Sequence, residues 1–215
     1  MLERSRLAQF ALAAVVVGAA FAAGIWLSVR QATVPDGAAV DGLLWPDPPR
    51  LRAFELTDAS GAPFTLEQLR GRWTLLFFGF THCPDVCPTT LAELAAASAE
   101  LRNHPRFGAR GQVAFVSVDP ARDDAATLAA YVGYFSPEFV AATAAEDELR
   151  RLTRALGALF MKVPQGGGEY TMDHSAGIFY ISPDLRLVSV LTPPHSRDQI
   201  VRRFDAVSAF IEDHG

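Results

Sequence analysis

The chain has 215 residues, half of them hydrophobic, and a formal net charge of −5 at pH 7. This length accommodates one globular domain of ordinary size and an additional segment. The acidic balance and the lack of a basic cluster in the sequence argue against a nucleic-acid-binding protein.

The additional segment comes first, because residues 7–29 carry no charge. As a helix they would be about 34 Å long, enough to cross a hydrocarbon core about 30 Å thick. Two arginines lie in residues 1–6, so we expect this tail to stay in the cytoplasm and the rest to be exported. We predict a single transmembrane anchor in the inner (cytoplasmic) membrane, with the C-terminal domain in the periplasm. A cleaved signal peptide is the alternative.

Residues 30–50 are rich in Pro, Gly, Ala and Asp and predict a linker. Residues 51–215 then alternate between strand-like and helix-like patterns. The apolar runs Trp73–Phe80 and Gln112–Asp119 predict strands buried on both faces. An Ala/Leu-rich helix is expected between these two runs, with Pro88 in its first turn.

Two amphipathic helices are predicted next, over Asp123–Phe135 and Ala145–Gly157. A strand hairpin across Pro183-Asp184 follows, and a capping signal at Ser196 opens a last helix to about Ile211. This order predicts an α/β domain with a thioredoxin-like fold, in which helices flank a central mixed sheet.

Both cysteines of the chain, Cys83 and Cys87, lie in "GFTHCPDVCP" between the first buried strand and its helix. In an exported domain they cannot be assumed to be reduced. A structural disulfide would close a very short loop and stabilise the fold by only about 2 kcal/mol. The two other interpretations of the cysteines are a redox pair and a metal site.

A redox pair is favoured by the position of the cysteines before a helix N-terminus, which lowers the pKa of a thiol. Their three-residue spacer differs from the two-residue spacer of thioredoxins. We also expect the negative charge of Asp85, between the cysteines, to raise the thiol pKa. A general periplasmic thiol–disulfide oxidoreductase therefore stays as the alternative function.

A metal site is favoured because two thiolates suit Cu(I), and an added imidazole gives a donor set that also holds Cu(II). Zinc would need a fourth donor, such as water or Asp173. Of the five histidines, His82 is expected to project away from the sulfurs and His195 to be a loop residue. His104 and His214 are expected to be solvated surface residues.

His174 differs from the other histidines. It stands in "YTMDHSAGIFYI", after a glycine loop at Gly166–Gly168 that we expect to be flexible and before a buried strand. In a thioredoxin-like sheet the start of this late strand faces the cysteine loop. His174 is therefore the candidate imidazole.

"THCPDVCP", "VSVDPARDD" and "DHS" before an apolar strand together resemble the Sco/SenC copper-binding proteins, over most of residues 51–215. The resemblance implies a membrane-tethered, thioredoxin-like protein that binds one copper through Cys83, Cys87 and His174. It places Asp173 beside the ligand, where it would orient His174 or tune the site. Asp119 and Asp85 also match family positions, although a strand end and a turn explain them equally well.

The resemblance further implies a copper metallochaperone that serves the assembly of cytochrome c oxidase. Its partner would be the subunit bearing the Cu(A) site, to which it delivers copper or whose thiols it prepares. Other copper chaperones or thiol reductases would load or reduce it. No catalytic residue is predicted beyond the redox pair Cys83 and Cys87, so a carrier is expected rather than an enzyme.

Overall fold

The computed structural model describes Gly18 and residues 48–214. The chain divides into two units, Met1–Ala39 and Val40–Gly215, and the first is described only at Gly18. The predicted tail, the anchor apart from Gly18, and most of the linker lie outside the described residues. Within the described residues, no helix combines the length and apolar character that crossing a membrane requires.

The second unit is built from nine described strands and five described helices. Strands β1–β9 occupy Glu55–Asp58, Pro63–Thr65, Thr74–Gly79, Gln112–Ser117, Val140–Thr143, Phe160–Gly166, Glu169–His174, Ile178–Ile181 and Leu187–Leu191. Helices α1–α5 occupy Leu66–Leu69, Val86–Leu101, Ala125–Phe135, Glu146–Ala155 and Arg197–His214, with a 3₁₀ turn at Gly108–Arg110.

Seven strands form one mixed sheet in the order β2-β1-β5-β4-β3-β8-β9. The pairs β3–β4 and β4–β5 are parallel, and the others are antiparallel. A parallel pair needs a crossover, which α2 supplies between β3 and β4. Every residue of β3 is buried, because the sheet is covered on both faces. The predicted α/β class and mixed central sheet flanked by helices are confirmed.

The predicted hairpin across Pro183-Asp184 is confirmed as β8–β9. The helix after the cysteines is confirmed as α2, with Pro88 in its first turn. The last helix is longer than expected, because α5 runs from Arg197 to His214. Sequence reasoning missed the short strand β5 in the central sheet.

A second hairpin, β6–β7, forms a two-stranded sheet of its own. The predicted glycine loop is the turn of this hairpin, but sequence reasoning missed the two strands that flank it. Gly166 ends β6 and Gly167 and Gly168 make the turn, each of the three with a positive φ between 62° and 91°. Asp173 and His174 are the last residues of β7. Positive φ values are accessible to glycine without steric cost, so the three glycines close a hairpin.

His104 is not the solvated surface residue that we expected. Its ring meets the ring of Phe204 edge-on at 5.1 Å, and Nε2 lies 3.2 Å from an Asp205 carboxylate oxygen. His104 therefore helps to attach α5 to the segment after α2.

Candidate metal centre

The cysteine loop joins the carboxyl end of β3 to α2. Cys87 is the second residue of α2 and is fully buried, whereas Cys83 is partly exposed. β3 ends at Gly79, where an added Cβ would lie 2.9 Å from the Cys87 sulfur and 2.7 Å from Cε2 of Phe115. The absence of a side chain at Gly79 gives the buried sulfur its space.

The two thiols differ in their ionisation. The Cys87 thiol donates to the Cys83 sulfur and lowers the pKa of Cys83 to about 4, although burial acts in the opposite direction. Hydrogen bonds from His174 and from the backbone N–H groups of Asp85 and Cys87 add to the lowering. The bond to Cys83 and burial raise the pKa of Cys87, and the nearby charges of Cys83 and Asp123 contribute. The reduced pair is therefore a thiolate at Cys83 and a thiol at Cys87.

The pKa of Cys83 is lowered even though Asp85 stands between the two cysteines, and the expected effect of the Asp85 charge stays a prediction. The Asp85 side chain is exposed to solvent, where its charge is screened, while its backbone N–H faces the sulfur. The free N–H groups at the N-terminus of α2 thus lower the pKa of Cys83, as expected for a cysteine placed before a helix. The Cys87 N–H donates to the Cys83 sulfur at 3.4 Å.

His174 lies across from the cysteines, at the end of β7. Its Nε2 is 3.4 Å from the Cys87 sulfur and its Nδ1 is 3.2 Å from the Ser175 carbonyl oxygen. Its ring packs edge-on against Phe77 and Phe80, at centroid distances of 6.2 and 5.8 Å. With the proton on Nε2, His174 donates to the Cys83 thiolate and helps to lower the pKa of that cysteine. With the proton on Nδ1, it donates to Ser175 and leaves the Nε2 lone pair for a metal.

The donor atoms of Cys83, Cys87 and His174 all lie within 4.8 Å of one another. Among the residues that the structure describes, this is the only such group of three or more His, Cys, Asp or Glu side chains. Two sulfurs and one imidazole nitrogen fit a soft metal ion such as Cu(I). The structure thus brings together the three side chains that the sequence singled out.

Asp173 is adjacent to the site in sequence but does not join the group of three. Asp173 is exposed, and its cross-strand partner in the hairpin is Met161. Successive side chains of a strand point to opposite faces, so Asp173 and His174 face opposite sides of β7. Its predicted role in orienting or tuning His174 stays a prediction.

His82, His104 and His195 also lie outside the group. His82 is 54% exposed, with Nδ1 at 3.1 Å from the Thr81 hydroxyl. His195 follows the cis peptide Pro193-Pro194, and its Nε2 donates to the Ala176 carbonyl at 2.7 Å. Burial lowers the pKa of His195, so it is a partly buried structural residue.

The loop after β4 supports the site, and sequence reasoning gave its residues no such role. Asp123 is fully buried and accepts hydrogen bonds from the backbone N–H and hydroxyl of Thr81 and from the Ser117 hydroxyl. It therefore anchors the start of the cysteine loop. Two aspartates four residues apart after a buried strand, in "VDPARDD", were the available signal.

The SCO1/SenC family model matches residues 47–209, which include the whole site. This chain belongs to the SCO1/SenC family. A Stutzerimonas stutzeri relative whose name describes a copper-binding protein is 38% identical over 157 residues, covering 72% of this chain and 76% of that protein. The mitochondrial SCO1 homolog 1 of Arabidopsis thaliana is 34% identical over 147 residues, covering 68% of this chain but only 43% of that longer protein.

Solved SCO1/SenC structures share the fold. Arabidopsis thaliana ScoI with copper bound superposes with a TM-score of 0.68 and 32% identity, covering 76% of this chain and 98% of that one. The solution structure of apo Sco1 from Thermus thermophilus gives a TM-score of 0.68 and 36% identity, covering 77% and 95%. The thioredoxin-like SCO1/SenC architecture is thereby shown for this chain.

Proposed function

We propose that this chain is a copper metallochaperone that binds one copper ion through Cys83, Cys87 and His174. The observation that carries the proposal is the approach of two sulfurs and one imidazole nitrogen to within 4.8 Å of one another. Membership of the SCO1/SenC family and the copper-bound Arabidopsis thaliana ScoI structure support the choice of metal.

The chemistry of the donor set favours copper over zinc. A structural zinc site has four protein ligands, and Asp173, the candidate fourth ligand, lies outside the group of three. Cu(I) accepts three soft donors, and the same set also holds Cu(II). Because Cys83 is partly exposed, a ligand of a second protein can reach the copper before the donor ligands leave. Copper is then passed on by ligand exchange.

The recipient in this proposal is the Cu(A)-bearing subunit of cytochrome c oxidase, as the family resemblance implies. A transmembrane anchor at residues 7–29 would hold the domain on the periplasmic face of the inner membrane, where that site is assembled. Other copper chaperones would load the site, and thiol reductases would keep its cysteines reduced.

The lowered pKa of Cys83 favours a second candidate function, reduction of the disulfide of a recipient. The Cys83 thiolate attacks one sulfur of that disulfide, and the other sulfur leaves as a thiolate. Cys87 then loses its proton and attacks Cys83, which releases the second recipient sulfur. The recipient gains two electrons, and this chain ends as a Cys83–Cys87 disulfide that a thiol reductase must restore.

Titration of the reduced full-length protein with copper tests the proposal. We expect saturation at one equivalent and a thiolate-to-Cu(II) charge-transfer band. His174→Ala removes the imidazole and should change the band and weaken binding. His82→Ala is the matched control, because His82 adjoins Cys83 but lies outside the group of three, and it should leave both unchanged. A wild-type band and stoichiometry in His174→Ala would contradict the three-ligand site.

The two functions are separated by a disulfide-reduction assay on the same variants. A pure thiol–disulfide oxidoreductase keeps its activity in His174→Ala and loses it in Cys83→Ser. A copper carrier loses its specific copper complex in both.

A further inference from the structure

Tyr170, in β7, connects the hairpin β6–β7 to the loop after β4. Its hydroxyl donates to Oδ1 of Asp119 at 2.8 Å, and Asp119 is only 3% exposed. Arg122 donates from Nε to the same carboxylate and from Nη1 to the Tyr170 carbonyl oxygen, the latter at 3.0 Å. The Arg122 guanidinium carbon also lies 3.7 Å from the centroid of the Tyr170 ring. The loop therefore holds Tyr170 by its hydroxyl, its ring and its backbone.

These contacts connect Tyr170 and Arg122 to the metal centre at His174. Tyr170 and His174 are four residues apart in one strand, so their side chains share a face of the hairpin. Arg122 also lies over the Phe80 ring, at 5.8 Å from the centroid. Phe80 in turn packs edge-on against the His174 ring. Two series of contacts, one along β7 and one through Phe80, therefore connect the loop after β4 to His174, the candidate third ligand.

The attachment matters because the hairpin is not a member of the central sheet. In the central sheet, ladder hydrogen bonds between adjacent strands fix the position of each strand. Between β6–β7 and that sheet there is no such ladder, so side-chain contacts have a larger share in fixing the hairpin. A charge-assisted hydrogen bond to a buried carboxylate is among the stronger contacts available.

We propose that Tyr170 is a positioning residue of the metal centre. Its bond to Asp119 and its stacking on Arg122 hold the hairpin where Nε2 of His174 lies 3.4 Å from the Cys87 sulfur. The inference rests on the proposed function in one respect, namely that His174 is the third copper ligand. Tyr170 itself touches no donor atom of the group of three.

The test compares Tyr170→Phe, which removes the hydroxyl and keeps the ring, with wild type. In the metal-free reduced protein, NMR should show the His174 ring-proton shifts moving toward those of an unstructured histidine, since the ring leaves Phe77 and Phe80. Amide exchange in β7 should accelerate about tenfold, as expected for the loss of one hydrogen bond to a charged group. Cu(I) affinity, measured by chelator competition, should fall about three- to tenfold, because fewer molecules hold His174 in place.

Tyr180→Phe is the matched control. The Tyr180 hydroxyl is buried in β8 and donates to the Ile200 carbonyl at 3.0 Å, so its loss removes a tyrosine hydrogen bond elsewhere. It should leave the His174 shifts and the Cu(I) affinity at their wild-type values. If Tyr170→Phe does not fold, Arg122→Lys, which loses the planar stacking group, should give the same changes.

Wild-type His174 shifts in Tyr170→Phe, or in Arg122→Lys where Tyr170→Phe does not fold, would overturn the inference, as would equal changes in Tyr180→Phe. If the wild-type protein bound no copper, the proposed function would fail, while the metal-free NMR comparison would still decide the role of Tyr170.

Discussion

At the scale of single residues, the two cysteines show how position within a short loop separates identical groups. Cys83 is partly exposed and receives hydrogen bonds from a thiol, an imidazole and two backbone N–H groups. Cys87 is buried, and its thiol donates a hydrogen bond to the Cys83 sulfur. Nucleophilicity depends on the thiolate fraction, so in the proposed disulfide reduction Cys83 would be the attacking sulfur and Cys87 would resolve the mixed disulfide.

A pH profile of alkylation tests this division. In the reduced, metal-free protein, Cys83 should react with iodoacetamide with a midpoint near pH 4, the pKa to which its hydrogen bonds lower it, and Cys87 should be protected. Cys87→Ala removes the first of these donors, so the midpoint should move to higher pH. Mass spectrometry of the alkylated cysteine as a function of pH gives the midpoint for the wild type and for Cys87→Ala. A midpoint unchanged in Cys87→Ala would show that the Cys87 thiol is not the main cause.

At the scale of elements, the end of β3 determines whether the cysteine loop can form. Gly79 is paired with Ser117 in β4 and lies under the Cys87 sulfur. Asp123 then fixes Thr81, two residues further along the chain. A strand end without a side chain and a buried carboxylate together direct the chain into α2.

Gly79→Ala should destabilise the fold by about 1–3 kcal/mol, because the new methyl group meets the Phe115 ring and the Cys87 sulfur in a packed interior. Gly133→Ala is the matched control. Gly133 lies within α3, is exposed, and has no atom within 4 Å of an added Cβ, so alanine should stabilise by about 0.5–1 kcal/mol. Urea unfolding of both variants measures the difference. Equal changes in the free energy of unfolding would mean that a methyl group at Gly79 does not clash with the Phe115 ring and the Cys87 sulfur.

At the scale of the whole domain, His195 couples stability to pH. Burial lowers its pKa in the folded protein from the ordinary value of 6.5. Between the two pKa values the unfolded chain binds more protons than the folded one, so stability rises with pH there. The contribution is complete above about pH 6.5 and is lost as the pH falls toward the folded pKa.

His195→Gln should remove this dependence, because the amide keeps an N–H donor for the Ala176 carbonyl and does not titrate. We expect the wild-type free energy of unfolding to fall between pH 7 and pH 5 by no more than about 1.4 kcal/mol per pH unit from this group. The free energy of unfolding of His195→Gln should fall by less than that of the wild type between pH 7 and pH 5. Urea unfolding at both pH values gives the comparison, and an equal loss in the two proteins would contradict the assignment to His195.

The sequence predicted those parts of the domain whose signals are local. Continuous apolar runs identified β3 and β4, and two thiols before a helix identified the cysteine loop. The hairpin β6–β7 was missed because proline and three consecutive glycines in its segment are typical of loops. The roles of Asp123 and Tyr170 depend on partners 42 and 51 residues away. The aspartates of "VDPARDD" could mark this loop as unusual, but no local pattern identifies such distant partners.

The distance along the chain between Cys87 and His174, 87 residues, has a consequence for biosynthesis. A chain grows from its N-terminus, so both thiols are synthesised well before the imidazole that faces them. A chain that ends before residue 174 carries the two thiols without this imidazole. In a complete chain the three donors meet only when the hairpin β6–β7 lies opposite the cysteine loop. A metal that requires all three therefore stabilises the finished fold selectively. Loading the site would then distinguish mature molecules from unfinished ones.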